Sequence, residues 1–373
     1  MSLKCQVIGI GAGGNKATIE LVSQGIVNHK DIVLINSTLK DIPEEYREMS
    51  IELKGSNGCA KERKLAANMV EDNLNNGELQ NLSSVLKQDN SFILIVTSAE
   101  GGTGSGGTAV LAKYISQELG FRVHVSILCG FEDDARGLKN TMDLFRELSS
   151  DQSIIIDSIS NKKFLRECNN NKRKAEKAAN EEFANRVRIL LGQKLVDGID
   201  NIDDMDLLKV ATTPGYMDIV HGEFDKVKNV DEFNAEVKRI IDGSKSYETE
   251  ASCIRIAVVI NRSEKIADNI GDAFDTIAMV YGEAVEKFTH TQAIDGVNYI
   301  DIIITGMKMP LEIMTEIFED FKSRVQKVDN TKDTFVDAMN EFDTSLDAFD
   351  MGFRPKANIK SNFQNTKKID DNF

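Results

Sequence analysis

The chain has 373 residues, 41% of them hydrophobic, and a formal net charge of -15 at pH 7. That length can bury a large core and suits two domains. The acidic balance argues against general nucleic-acid binding by the body of the protein, and no apolar run of about 18 residues marks a membrane span.

The N-terminus passes from Met1–Lys4 into the apolar run Cys5–Ile10, so no secretory leader is expected and the expected location is the cytosol. A Gly-rich turn follows, Gly9-Ile10-Gly11-Ala12-Gly13-Gly14-Asn15, then a second strand-like run, Ile32–Asn36, closed by Ser37 and Thr38. A small-residue turn, Gly55–Ala60, precedes a basic stretch with Lys61, Arg63 and Lys64. Next come the strand-like run Phe92–Thr97 and the sequence Ser-Ala-Glu-Gly-Gly-Thr-Gly-Ser-Gly-Gly-Thr over 98–108. The segment after it carries apolar residues at helical spacing (Val110, Leu111, Tyr114, Ile115, Leu119). Glycines between a buried strand and a helix N-terminus can wrap an anion, aim successive N–H groups at it and add the partial positive charge of the helix end. Thr103 and Ser105 add hydroxyl donors. This predicts a phosphate cradle, but no Gly-Lys-Ser/Thr of a Walker loop follows.

Further strand-like runs are Arg122–Cys129 and Ile154–Ile156, separated by Gly130-Phe131-Glu132-Asp133-Asp134-Ala135-Arg136. Good helix formers fill 172–197, with an apolar stripe at Phe183, Val187, Leu190, Leu191 and Leu195, and an aspartate-rich loop, Asp197–Asp206, comes after. Strand-like runs recur at Tyr216–Val220, Cys253–Ile260 and Tyr299–Thr305. Residues 311–350 read as acidic helix, with 11 Asp/Glu against 4 Lys/Arg, apolar at Ile313, Ile317, Phe321 and Val325, then Phe335, Met339, Phe342, Leu346 and Phe349. The end of the chain is a basic, polar tail with Arg354, Lys356, Lys360, Lys367 and Lys368. The alternation in the first half favours an α/β fold, a parallel sheet covered on both faces with ligands beyond the strands' carboxyl ends. The five cysteines (Cys5, Cys59, Cys129, Cys168, Cys253) form no CxxC pair and the four histidines (His29, His124, His221, His290) have no ligand spacing. Free thiols and structural imidazoles are expected, and no metal-ligating residues are assigned.

Gly9, Gly11 and Gly14 satisfy the dinucleotide pattern G-x-G-x-x-G, so a nicotinamide dehydrogenase competes for this chain. Two facts weigh against it. The second strand ends in Asn36-Ser37-Thr38, without the acidic residue that holds a ribose, and a dehydrogenase has no use for a second cradle at 100–107.

The sequence 101–106, Gly-Gly-Thr-Gly-Ser-Gly, resembles the signature loop of the tubulin/FtsZ superfamily of GTPases, with Glu100 in place of the first glycine. Gly11, Gly13, Gly14 and Asn15 resemble that family's first turn, and Asn36-Ser37-Thr38 its Asn-Thr-Asp. Asn201, Asp203 and Asp206 match its Asn-x-Asp-x-x-Asp after the central helix. Six loops lie in the right order over roughly 1–310.

The resemblance implies a GTP-binding domain at 1–173, a central helix at 174–200, an activation domain at 201–310, a helical extension at 311–353 and a flexible tail at 354–373. It implies that GTP or GDP, with Mg²⁺, is held by Gly11, Ala12, Gly13, Gly14 and Asn15, by Asn57 and Gly58, and by Gly101, Gly102, Thr103, Gly104 and Ser105. Glu132 and Arg136 would hold the ribose, and Asn161 and Asn180 the guanine, whose edge needs groups that both donate and accept. Asn201, Asp203 and Asp206 would act on the GTP of the next subunit, so that hydrolysis depends on assembly. Within the superfamily the long acidic extension and basic tail are most like the plasmid and phage partition tubulins, which move DNA through a DNA-binding adaptor. The expected partners are other copies of the chain and such an adaptor, bound by 354–373. A division or phage-positioning scaffold is the alternative.

Overall fold

The structure, a computed structural model, describes residues 3–198, 200–225, 227–245, 247–262 and 270–328. The helical extension beyond 328 and the tail at 354–373 lie outside the described residues. Among those described, the strands are β1 (Cys5–Ile10), β2 (Ile32–Asn36), β3 (Ser50–Glu52), β4 (Phe92–Ser98), β5 (Val123–Cys129), β6 (Ile155–Ser160), β7 (Gly215–Glu223), β8 (Arg255–Asn261), β9 (Glu286–Gln292) and β10 (Tyr299–Met307). They form one sheet in the order β3-β2-β1-β4-β5-β6-β7-β10-β8-β9. From β3 to β7 every pairing is parallel. β10 runs antiparallel to β7 and β8, and β9 is parallel to β8.

The helices are α1 (Gly11–Ser23), α2 (Arg63–Asn76), α3 (Leu82–Val85), α4 (Thr103–Lys113), α5 (Ala135–Ser149), α6 (Lys172–Leu190), α7 (Asp204–Ala211), α8 (Val230–Ser244), α9 (Phe274–Tyr281) and α10 (Leu311–Val328). Strand alternation sends Ile8 and Ile10 to one face and Val7 to the other. On the first face they join α2, α4, α5, α8 and α9, with Met314 of α10; on the second, α1, α6 and α7. Burying both faces is what a largely parallel sheet requires. One compact unit ends at Phe321; a second begins at Lys322, and only its residues 322–328, the end of α10, are described.

Two expectations shift, and β3 and β9 correspond to no strand-like run in the sequence. Of the run Ile154–Ile156, Ile155 and Ile156 open a strand that continues to Ser160. Three of its later residues, Asp157, Ser158 and Ser160, are polar yet buried: Asp157 accepts from Ser126 and meets His124 at 2.9 Å, and Ser158 meets Tyr216 at 2.7 Å. Hydropathy cannot see a strand satisfied by such pairs. β9 (EKFTHTQ) escaped for the same reason: His290 is buried against Gln292 and the Val196 carbonyl. The helix expected over 172–197 stops at Leu190, because Gly192 takes a left-handed φ of +69° that ends it. Leu195 still packs against the second core, from a loop.

The two halves meet through few strand pairs, Ile155 with Gly215 and Ile156 with Tyr216. A buried ionic network fastens them as well. Arg186 of α6, 1% exposed, reaches Glu182 at 3.0 Å, Asp218 of β7 at 3.3 Å and the Ser244 carbonyl at 3.0 Å. Tyr281 of α9 donates to the other Asp218 oxygen at 2.8 Å. A fully buried guanidinium tolerates its loss of water only with this many partners.

Candidate functional site

The first Gly-rich turn and the 98–108 loop interlock. Gly11 has φ +76°, and a Cβ there would lie 2.8 Å from the Gly104 nitrogen. A Cβ on Gly104 would meet Thr97 Oγ1 at 2.6 Å and the Ile10 and Ser98 carbonyls at 3.0 Å. These glycines therefore serve the contact between β1–α1 and β4–α4, placing two helix N-termini side by side. Gly101 differs: beyond Ser98 Oγ at 3.6 Å, nothing stands where its Cβ would be. The loop is open on that side, and the first N–H groups of α4 have no partner within the helix.

The hydroxyls expected to donate are engaged inside the protein. Ser105 is fully buried and gives its hydroxyl to the Gly101 carbonyl. Thr103 Oγ1 meets Ser37 Oγ at 3.0 Å, joining the turn after β2 to the loop. Asn15 donates to the Ile35 carbonyl at 3.2 Å, and its Oδ1 is buried without a partner. Asn57 lies with Ser37, Lys54 and Gly55 along a cleft of about 620 Å³, and Gly58 has φ +100°.

Every charged residue of the loop after β5 is ion-paired to another wall. Glu132 meets Lys162 at 2.6 Å, Asp133 meets Lys172, Asp134 meets Lys61 at 2.5 Å, and Arg136 meets Glu62. The Lys61 and Glu62 backbone lies against Gly102 of the 98–108 loop. Asn140 of α5, which carried no signal in the sequence, donates to the carbonyls of Lys61, Glu100 and Gly101 at 3.0–3.3 Å. Glu100, Asp133 and Asp134 bring carboxylate oxygens within 4.8 Å of one another. Burial raises the Glu100 pKa, Asp134 and Asp133 add to the rise, and the Glu132 N–H opposes it. Neither this grouping nor the Arg63 contacts to Glu147 and the Ser105 carbonyl could be read from spacing, since, apart from the adjacent Asp133 and Asp134, they join residues from about 33 to 84 apart in the chain.

After β6, Asn161 opens a short 3-10 turn, Asn161–Phe164, packed beside α6, and its Oδ1 is buried without a partner. Asn180 sits half-buried on α6. Two features fit a nucleoside phosphate: the open face at Gly101 for an anion and the orphaned Asn161 oxygen for a donor on a base.

Asn201, Asp203 and Asp206 are not brought to this cradle. They follow the far end of α6, a helix of 19 residues and about 28 Å. Asp203 caps α7, accepting from the Asp206 N–H at 2.8 Å, and Asp206 meets Lys209 at 3.3 Å. Asn201 closes a turn on Gly198, at 2.9 Å and 3.2 Å. Asp203 is exposed and Asp206 half-exposed.

No protein-family model matches the chain. It is 24% identical over 234 residues to cell division protein FtsZ 1 of Methanocaldococcus jannaschii, covering 61% of this chain and 62% of that protein. The chain thus spans about three fifths of that relative's length. The GTPγS-form protofilament of Bacillus thuringiensis serovar israelensis TubZ superposes with a TM-score of 0.70 at 17% identity, over 91% of this chain and 94% of that one. CetZ2 of Haloferax volcanii, a GTPγS-bound protofilament, gives 0.69 at 18% identity, over 87% and 100%. These superpositions, with the loop sequence at 101–106, assign the chain the tubulin/FtsZ fold.

Proposed function

We propose that this protein binds and hydrolyses GTP and assembles head to tail into a filament whose active site is shared between subunits. The observation that carries the reading is the cradle itself. Two interlocked glycine turns leave Gly101 with room for a side chain, only Ser98 Oγ standing near it at 3.6 Å, and the orphaned Asn161 Oδ1 lies on the turn after β6, two strands along in the same sheet. Phosphates would rest on the 101–105 backbone and the Gly11–Asn15 turn, the ribose against Glu132 and Arg136, and the base between Asn161 and Asn180. Mg²⁺ would offset triphosphate charge on an acidic chain. In this reading 1–173 is the nucleotide domain and 201–310 the activation domain.

The separation of Asn201–Asp206 from the cradle by the length of α6 supports a shared site. Within one chain these carboxylates are on the wrong end of the helix. In a head-to-tail stack they would face the next subunit's phosphates, polarising a water for attack. A heterologous contact of this kind propagates without closing. Two neighbours in fold are protofilaments with GTPγS, which supports the same arrangement. We further propose that the filament moves plasmid or phage DNA through a DNA-binding adaptor held by 354–373. The similarity to cell division protein FtsZ 1 favours a second reading, a division scaffold.

Hydrolysis of GTP and ATP and binding of NADH, each followed across protein concentration, test the core of this. GTP alone should turn over, with the rate per subunit rising steeply above a critical concentration. Equal rates per molecule in dilute and concentrated protein would exclude the shared site, and preferential NADH binding would favour the dehydrogenase.

A further inference from the structure

We infer that Glu100 is a positioning residue: its carboxylate holds the loop after β5 in the form that presents Glu132 and Arg136 to the sugar of the nucleotide. The inference rests on the reading of the site given above and adds a residue that reading does not use.

Glu100 occupies the position at which the resembled signature loop has a glycine, at the edge of the phosphate cradle. Its side chain does not enter the cradle. It turns beneath the 130–137 loop, where one carboxylate oxygen accepts the Glu132 N–H at 3.0 Å. Two glycines make room for it. A Cβ on Gly130 would fall 2.0 Å from the Glu100 carboxyl carbon, and one on Gly137 would lie 3.1 Å from the Glu100 Cβ. A side chain at position 130 would displace the Glu100 carboxylate, and one at 137 would press on its stem.

The hydrogen bond meets the loop at its most constrained point. Glu132 has φ +58°, a left-handed conformation that a residue with a Cβ adopts at a cost. An accepting carboxylate aimed at that N–H offsets the cost and selects the conformation. In it the Glu132 side chain runs to Lys162, the residue after Asn161. The contacts thus run unbroken from the phosphate loop through Glu100 to the sugar loop, and through Lys162 to the turn carrying Asn161. Asp133 and Asp134 crowd Glu100 with like charge, and Lys172 and Lys61 draw each of them outward. The Glu132 N–H thus has its hydrogen bond from Glu100, and its side chain its ion pair to Lys162.

A site built to hydrogen-bond a hydroxyl rejects the analogue that lacks it. Sugar discrimination therefore reports the position of Glu132 and Arg136, and a general loss of packing would not move it selectively. The nucleotide-free full chain is titrated with GDP and 2′,3′-dideoxy-GDP. The wild type should prefer GDP by about tenfold or more. Glu100→Ala should lower that ratio to roughly twofold while changing dideoxy-GDP affinity by less than about threefold, and Glu100→Gln, which keeps an acceptor oxygen, should retain most of it. An unchanged ratio in Glu100→Ala, or no preference in the wild type, overturns the role of Glu100 while leaving nucleotide binding intact. Binding of neither nucleotide by the wild type overturns both readings. Amide exchange on the ligand-free wild type serves if the variants do not fold. The Glu132 amide should exchange at least about tenfold slower than an open amide, and exchange at the open rate overturns the inference.

Discussion

Gly101 and Gly104 stand three residues apart in one loop and answer the same substitution differently. Gly104 is closed in by Thr97, Ile10 and Ser98, so a valine there overpacks the join between two strands and should cost about 1–3 kcal/mol of stability. Loss of GTP binding in that variant would say little about contact with phosphate. A Cβ on Gly101 would meet only Ser98 Oγ, at an ordinary contact distance of 3.6 Å, so Gly101→Val should leave the thermal midpoint nearly unchanged and weaken GTP binding by about tenfold or more, ~1.4 kcal/mol. Thermal unfolding and a GTP titration on the two variants check this; full affinity in Gly101→Val would place the phosphates elsewhere. Both glycines were legible in the sequence as loop formers. Which one fills a contact and which leaves a space was not, because the answer lies in Ile10 and Thr97, residues outside the motif. Ser105 makes the same point: its hydroxyl reads as a donor for phosphate, but full burial turns it to the Gly101 carbonyl.

At the scale of the element, α7 shows how a cap and a catalytic candidate share a side chain. Asp203 accepts the Asp206 N–H and so ends an unsatisfied stretch of backbone. Asp203→Ala should therefore cost about 0.5–2 kcal/mol in stability as well as slowing hydrolysis. Asn caps as well as Asp but carries no charge. Asp203→Asn should keep wild-type stability and assembly, yet hydrolyse GTP far more slowly and give longer-lived filaments. Chemical unfolding together with phosphate release separates the two effects, and wild-type turnover in Asp203→Asn would confine this residue to its cap. The motif Asn-x-Asp-x-x-Asp was visible in the sequence at 201–206. The end of α6 was not, because the apolar stripe continues to Leu195 after the helix has stopped at Leu190, and periodicity does not record that Leu195 is reached by a turn.

Across the whole molecule, the compact unit ends at Phe321, and every residue that frames the cradle precedes it. Removing the chain after Gly352 takes away the basic residues Arg354, Lys356, Lys360, Lys367 and Lys368 and none of the described structure. The truncated protein should hydrolyse GTP and form filaments at close to the full-length rate and lose capture of adaptor-bound DNA. In the full chain that capture should weaken as salt screens the basic tail. Co-sedimentation with and without the adaptor complex, over a range of salt, measures this. If truncation stops assembly, the segment is a polymer contact and the cargo must bind elsewhere.

By itself the sequence determined the α/β alternation, the two glycine turns, the loop at 101–106 and the aspartates at 201–206. Each is set by neighbours a few residues away: a strand's apolar run, a helix's spacing, a glycine where backbone must come close. Only the tertiary structure decided what those pieces do together. It joined both halves through β6 and β7, buried Arg186 against Asp218, carried β6 and β9 through polar residues, and turned Glu100 away from the cradle toward Glu132. Such contacts link residues roughly 30 to 90 apart, and polar side chains can be buried only where a distant partner satisfies them.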